Sequence, residues 1–173
     1  SKRVRVCVAE NENFHTMLTF LRIIVADQDD INQFTERSTG YSRGGGGGVM
    51  DGRMGRDLQS ALNEANETKA MRLLEATMKQ YLAAYPDTYA KDCDRLANDK
   101  RLAPFSNERH AIIQVKGEKA VLTFFLEFAQ NVLHLLSIRD PDLFRSELRT
   151  LQEKTKHQWL LMYIRSNLSA IRR

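Results

Sequence analysis

The stretch Asn107–Ile138, NERHAIIQVKGEKAVLTFFLEFAQNVLHLLSI, decides the fold of this chain. Ile112, Val115, Leu122, Leu126, Ala129, Leu133 and Leu136 recur at three- and four-residue steps, and Ala111, Val121, Phe125, Phe128, Val132 and Leu135 lie beside them. That is the period of an α-helix. From Leu122 onward few exposed-looking positions remain besides Thr123, Glu127, Gln130, Asn131 and His134. A helix apolar over most of its circumference is normally buried on several sides, so the spacing predicts a central helix with other helices laid against it. Gly117 is an oddity inside it, because glycine costs a helix interior about 1 kcal/mol relative to alanine. Close approach of a neighbouring backbone is the expected reason, and a helix end with a fresh start at Glu118 is the alternative. Lys119 falls on the apolar stripe, where a lysine stem lies on the core and its ammonium reaches solvent or a carboxylate.

Working outward, Asp140-Pro141 opens a further helix, with proline at the tolerated first position and Phe144, Leu148 and Leu151 inward. The chain then runs through Trp159, Leu160, Leu161, Ile164, Leu168 and Ile171 to Arg172-Arg173; Trp159 reads as core or interface. On the other side, Leu102–Ser106 is a linker holding Pro104, with Ser106 or Asn107 capping the central helix. Asp87 and Thr88 are N-cap types for a short helix through Leu96, on which Asp92 and Asp94 read as a solvated acidic face. A long helix is expected from about Arg56 to Ala84, ended by Tyr85-Pro86.

The sharpest boundary is Thr39–Gly55, where five consecutive glycines, Gly44 to Gly48, are flanked by Gly40, Gly52 and Gly55. Such a run does not recover the entropy lost on ordering, so residues 39–55 read as a loop inserted between helices. It lacks the following Gly-Lys-Ser/Thr of a phosphate-binding loop. Before it, Phe14, Met17, Leu18, Leu21 and Val25 mark one face of a helix, and Ile31 with Phe34 a short second one. Arg3–Ala9 alternates Val4, Val6 and Val8 with Arg3, Arg5 and Cys7, the pattern of a short strand. The expected fold is all-α: an irregular multi-helix bundle around one long central helix, with one short N-terminal strand.

At 173 residues the chain has length for a real core, and its hydrophobic content of 42% fits a globular protein. A net charge of +4 is mildly basic without the clustered stripe that marks nucleic-acid binding, so no nucleic-acid partner is expected. Apolar runs fall short of the ~20 residues of a membrane span, and the N-terminal segment lacks a signal-peptide core. No membrane partner and an intracellular setting are therefore expected. Cys7 and Cys93 have no metal or redox spacing, and His15, His110, His134 and His157 have no ligand pattern, so no metal site is expected.

Two segments together resemble a known family. One is VRVCVAENENFHTMLTFLRIIVADQDDINQF, Val4 to Phe34, containing Leu-x-Phe-Leu-Arg at Leu18 to Arg22. The other runs from Tyr81 through Tyr85, Thr88, Asp92, Leu96, Leu102 and Arg109 to Ala111-Ile112 and Gly117-Glu118-Lys119, ending at Leu122. In order and spacing they resemble the C-terminal substrate-binding domain of SET-domain protein methyltransferases of the Rubisco large-subunit methyltransferase type, a domain shared with the actin-histidine methyltransferase. Val115 stands where relatives often carry arginine, and the glycine run replaces the ordinary loop. The resemblance implies a family domain over residues 1–138, with residues 139–173 as a helical C-terminal extension packed on it.

It also implies a catalytic SET domain upstream in cis that binds S-adenosylmethionine and methylates a lysine, or secondly a histidine, of a protein substrate. This chain has no Asn-His dipeptide of the SET kind and no recognisable base or nucleophile arrangement. It is expected to be non-catalytic, to bind no cofactor itself, and to dock the protein substrate beside the catalytic domain. A stand-alone helical protein–protein interaction scaffold is the alternative. Arg22, Arg109, Glu118 and Lys119 are the candidate polar groups at a domain interface or substrate groove; for Glu118 and Lys119 intramolecular ion pairing is the competing role.

Overall fold

The computed structural model describes residues 12–40, 61–154, 163 and 167. Among them the regular structure is helical: α1 (Glu12–Ile24), α2 (Gln28–Gly40), α3 (Glu64–Ala83), α4 (Tyr89–Asn98), α5 (Asn107–Ser137) and α6 (Pro141–Lys154). The central stretch forms the single 31-residue helix α5 that its periodicity predicts.

Short polar residues start most of these helices, as their sequences require. Asp27 and Asp30 cap α2 reciprocally: Asp30 N–H donates to Asp27 Oδ1 at 3.0 Å and Asp27 N–H to Asp30 Oδ2 at 3.2 Å. The Asn63 side chain takes the Asn66 N–H at 2.8 Å, Thr88 takes Lys91 N–H at 3.3 Å, and Ser106 takes Arg109 N–H at 3.2 Å. Asp140 accepts from Asp142 and Leu143 N–H, placing Pro141 at the first position of α6. Each cap replaces a backbone partner that the first helical turn lacks.

Several expectations are corrected. The third helix begins at Glu64 rather than near Arg56, because Ala61–Asn63 is non-helical and Asn63 supplies the cap. The second helix is 13 residues long and runs through Thr39 to Gly40, where the loop had been expected to begin. Gly117 neither breaks α5 nor meets a neighbour: the helix passes through it, and an added Cβ would find nothing within 4 Å. Burial of α5 is graded rather than uniform. Phe128, Ala129, Val132, Leu135 and Leu136 are buried, Val121, Leu122, Phe124, Phe125 and Leu126 are half-buried, and Ile113 is exposed. In length and composition α5 does suffice to cross a membrane, contrary to the reading of its apolar runs, and the side chains of its C-terminal turns include the buried Val132, Leu135 and Leu136. Phe144, Leu148 and Leu151 of α6 are half-buried. The strand at Arg3–Ala9, the glycine run and Trp159 lie outside the described residues.

The chain divides into two compact units, Ser1–Arg72 with Val132–Arg173, and Leu73–Asn131. Both boundaries fall inside helices, near the middle of α3 and in the last turns of α5. In the first unit Phe14, Leu18, Ala61, Leu62, Ala70, Met71, Val132, Leu135, Leu136, Ile138 and Tyr163 are buried. In the second, Leu74, Met78, Leu102, Ile112, Phe128 and Ala129 are buried.

Candidate functional site

Arg22 ends the buried face of α1, four residues after Leu18, and is fully buried in the first unit. Its Nε and Nη2 donate to the two oxygens of Glu67 at 2.7 and 2.9 Å, and Nη2 also reaches the Tyr163 hydroxyl at 3.3 Å and Asn167 Oδ1 at 3.5 Å. Burying a guanidinium is tolerable only with such a planar, bidentate partner. Asn167 also accepts the Ala61 N–H at 2.7 Å, so this one side chain binds α1's arginine and the segment ahead of α3. Beside it, Asn66 Nδ2 donates to the Arg22 carbonyl and to Asp30 Oδ2, both at 3.0 Å, and Asn63 Nδ2 donates to Asp30 Oδ1 at 2.6 Å. Asp27, on the rim, pairs with Lys69 at 2.7 Å; this and the Asp30 N–H interaction hold its carboxyl below the usual aspartate range.

In the second unit Lys119 is buried, and its Nζ lies 2.6 Å from Asp92 Oδ2, a carboxylate itself buried on α4. The Tyr85 ring covers the ammonium at 5.0 Å from its centroid. The Tyr85 hydroxyl donates to Glu118 Oε2 at 2.9 Å, and Gln114 donates to the other oxygen of Glu118 at 3.3 Å. That carboxylate raises the Tyr85 pKa above its ordinary value. Arg109 Nη1 donates to the Leu96 carbonyl at 3.2 Å near the end of α4, while Arg95 and Glu108 pair at 2.8 Å. The expectation that Asp92 is solvated fails: it faces the core and neutralises Lys119, whereas Asp94 is exposed.

The four residues singled out from sequence therefore divide, Arg22 in one unit and Arg109, Glu118 and Lys119 in the other. Lys119 takes the intramolecular ion-pair role, Glu118 a hydrogen-bonded one on the surface, and Arg109 closes the end of α4. Sequence reading missed Glu67 and Asp92, the partners of the buried cations. Glu67 had a signal: with Ala70, Met71, Leu74 and Met78 it lies on the apolar stripe of α3, where a carboxylate needs a buried cation. These pairs are built to hold helices together, with cation and carboxylate consuming each other's charge. Large apolar side chains are also exposed on the described surface: Phe20, Ile23 and Ile24 on α1, Ile31 on α2, Tyr81, Tyr89 and Ile113 in the second unit, Leu143 on α6, and Phe105, 89% exposed, between α4 and α5.

No protein of curated function and no solved structure matches the chain. The family model described as the Rubisco LSMT substrate-binding domain matches residues 1–122, so that the match takes in α1 to α4 and the first half of α5, with Arg22, Glu67, Asp92, Arg109, Glu118 and Lys119 all inside it. With 122 of 173 residues covered, the chain belongs to the Rubisco LSMT substrate-binding family.

Proposed function

We propose that this chain is the substrate-binding module of a SET-domain protein methyltransferase, holding a protein substrate in register beside a catalytic domain upstream in the same polypeptide. The observation that carries this reading is the family match over residues 1–122, whose domain is named for substrate binding. The geometry is consistent with it. Arg22 and Lys119 are committed to Glu67 and Asp92, which leaves exposed side chains on a braced helical frame to do the recognising. In this reading the upstream domain binds S-adenosylmethionine, which supplies the methyl group; the target is a lysine of the substrate, with histidine the second choice. The module's contribution is orientation: binding energy far from the reacting nitrogen holds it in line for transfer. The setting proposed is intracellular, with a protein rather than a nucleic acid or a membrane as the partner.

The test is competition. The parent polypeptide is supplied with isotope-labelled S-adenosylmethionine and extract proteins, and in parallel with a short peptide spanning a labelled site, each with excess isolated chain added. The isolated chain should suppress labelling of the intact protein and leave the peptide reaction nearly unchanged. Equal suppression of both, or of neither, refutes the reading.

A further inference from the structure

Ala61 stands between the glycine run and α3, in a non-helical segment, and is buried. A buried backbone N–H outside a helix or sheet needs an acceptor from elsewhere, because leaving it unpaired costs about as much as a lost hydrogen bond. Ala61 N–H donates to Asn167 Oδ1 at 2.7 Å, on a side chain 106 residues further along. The same oxygen takes Arg22 Nη2 at 3.5 Å, and Asn167 Nδ2 donates to the Tyr163 carbonyl at 3.1 Å. That last bond fixes which way the carboxamide faces: with its nitrogen spent on Tyr163, its oxygen is turned to Ala61 and α1. Tyr163 adds its hydroxyl, 3.3 Å from Arg22 Nη2, and its ring, whose centroid lies 6.0 Å from the guanidinium carbon. Tyr163 and Asn167 are both buried.

The place of Ala61 decides more than one hydrogen bond. Gly44 to Gly48 have no side chains, so the glycine run brings no side-chain anchor to the chain's return toward α3. Asn63, two residues after Ala61, caps α3, and Glu67, about one turn further, is the carboxylate that receives Arg22. The anchor for this register therefore comes from Tyr163 and Asn167, and both lie beyond the matched family segment, which ends at residue 122. We propose that Tyr163 and Asn167 form a C-terminal clamp, in which Asn167 is the positioning residue that holds Ala61, and through it the start of α3, in register with α1. The substrate-binding domain of this chain then closes only at Asn167, well past the boundary at residue 138 expected from sequence. Every residue of the clamp belongs to the first unit, so its effect is local to that unit. The geometry of α1 against α3, inside the family segment, depends on side chains supplied from outside it.

Residue-resolved amide hydrogen exchange on the full chain tests the clamp. It uses no substrate, so its outcome is independent of the proposed function. Asn167→Leu keeps the side-chain size and removes the acceptor. The Ala61 amide should then exchange roughly tenfold faster or more. The amides of Asn66 and Glu67 at the start of α3 should follow, while those of Ile112 and Phe128 in the second unit stay as they were. Asn167→Asp keeps an oxygen for Ala61 and Arg22 and should recover most of the protection. Tyr163→Phe removes the hydroxyl alone and should leave the Ala61 amide unchanged. An Ala61 amide that exchanges in Asn167→Leu as it does in the original chain overturns the clamp. Equal loss of protection in both units overturns it too, because the side chain would then support the whole fold rather than one register. An Asn167→Asp chain no better protected than Asn167→Leu removes the acceptor role and overturns it as well.

Discussion

The two units solve the same problem, a buried cation inside a helical core, with different side chains. In the first, Arg22 spreads its charge over Glu67 by two parallel hydrogen bonds and reaches Tyr163 and Asn167 besides. In the second, Lys119 meets a single oxygen of Asp92 and the face of Tyr85. A guanidinium is planar and presents a fixed fork, so it ties several elements at once; an ammonium is a compact point charge that needs one close carboxylate. The difference teaches how each unit is braced. The first holds α1, α3 and the residues at 163 and 167 through one hub, whereas the second pins α4 to α5 through one contact roofed by a ring.

Removing one partner of the hub should have the largest effect. Glu67→Ala leaves the guanidinium buried without its carboxylate, and chemical denaturation should show a loss of about 3–5 kcal/mol. Arg22→Met/Glu67→Leu should recover most of it, because an apolar pair carries no unpaid desolvation. If the double variant is as unstable as the single one, the hub's value lies in its links to Tyr163 and Asn167 rather than in the charge pair.

Asp92→Ala should cost somewhat less, about 3 kcal/mol, since the Lys119 stem is flexible and the Tyr85 ring still attracts the ammonium. Equal losses for Asp92→Ala and Glu67→Ala, measured in the same denaturant series, would remove the distinction between fork and point charge.

Gly117→Ala sharpens the comparison with the opposite sign. With open space around the added Cβ, the change should stabilise by about 0.5–1 kcal/mol through helix propensity alone. A destabilisation would mean that the second unit uses the absent side chain after all.

The smallest effect is electrostatic and lies at the two ends of the pH scale. Hydrogen bonding to Glu118 raises the Tyr85 pKa above 10.0, so the protonated phenol contributes stability that is fully present below 10.0 and fades as pH rises through the folded value. Asp27 is lowered below 3.8, chiefly by Lys69, so its contribution is present above 3.8 and fades as pH falls through its folded value. Melts of Tyr85→Phe should lose only the alkaline component and those of Asp27→Asn only the acid one. A variant that alters the opposite end would contradict the assignment.

How much of this was legible in the chain depends on the kind of information each feature needs. The helix at 107–137, the caps at Thr88, Ser106 and Asp140, and the family match follow from periodicity, short polar side chains before apolar runs, and local spacing, all carried by neighbours in sequence. The start of α3 was misplaced because Leu58 and Leu62 extend the helical period backward, while the competing Asn63 side-chain bond leaves no trace in that period. Charged residues in the core were half legible. Lys119 stood out against its apolar stripe, but Asp92, 27 residues away, looked like any surface aspartate, and Arg22 gave no hint of Glu67, 45 residues on. Gly117 was read as a packing glycine because helix glycines need a reason, and only the empty space around it in three dimensions removes that reason. By itself, then, the sequence determined which segments are helical, where most of them begin, and to which family they belong, because those depend on backbone energetics within a few residues. Which charges are buried together, which apolar residues remain outside and how Phe105 comes to project were decided by the tertiary structure, because they depend on side chains that meet only after distant helices have packed.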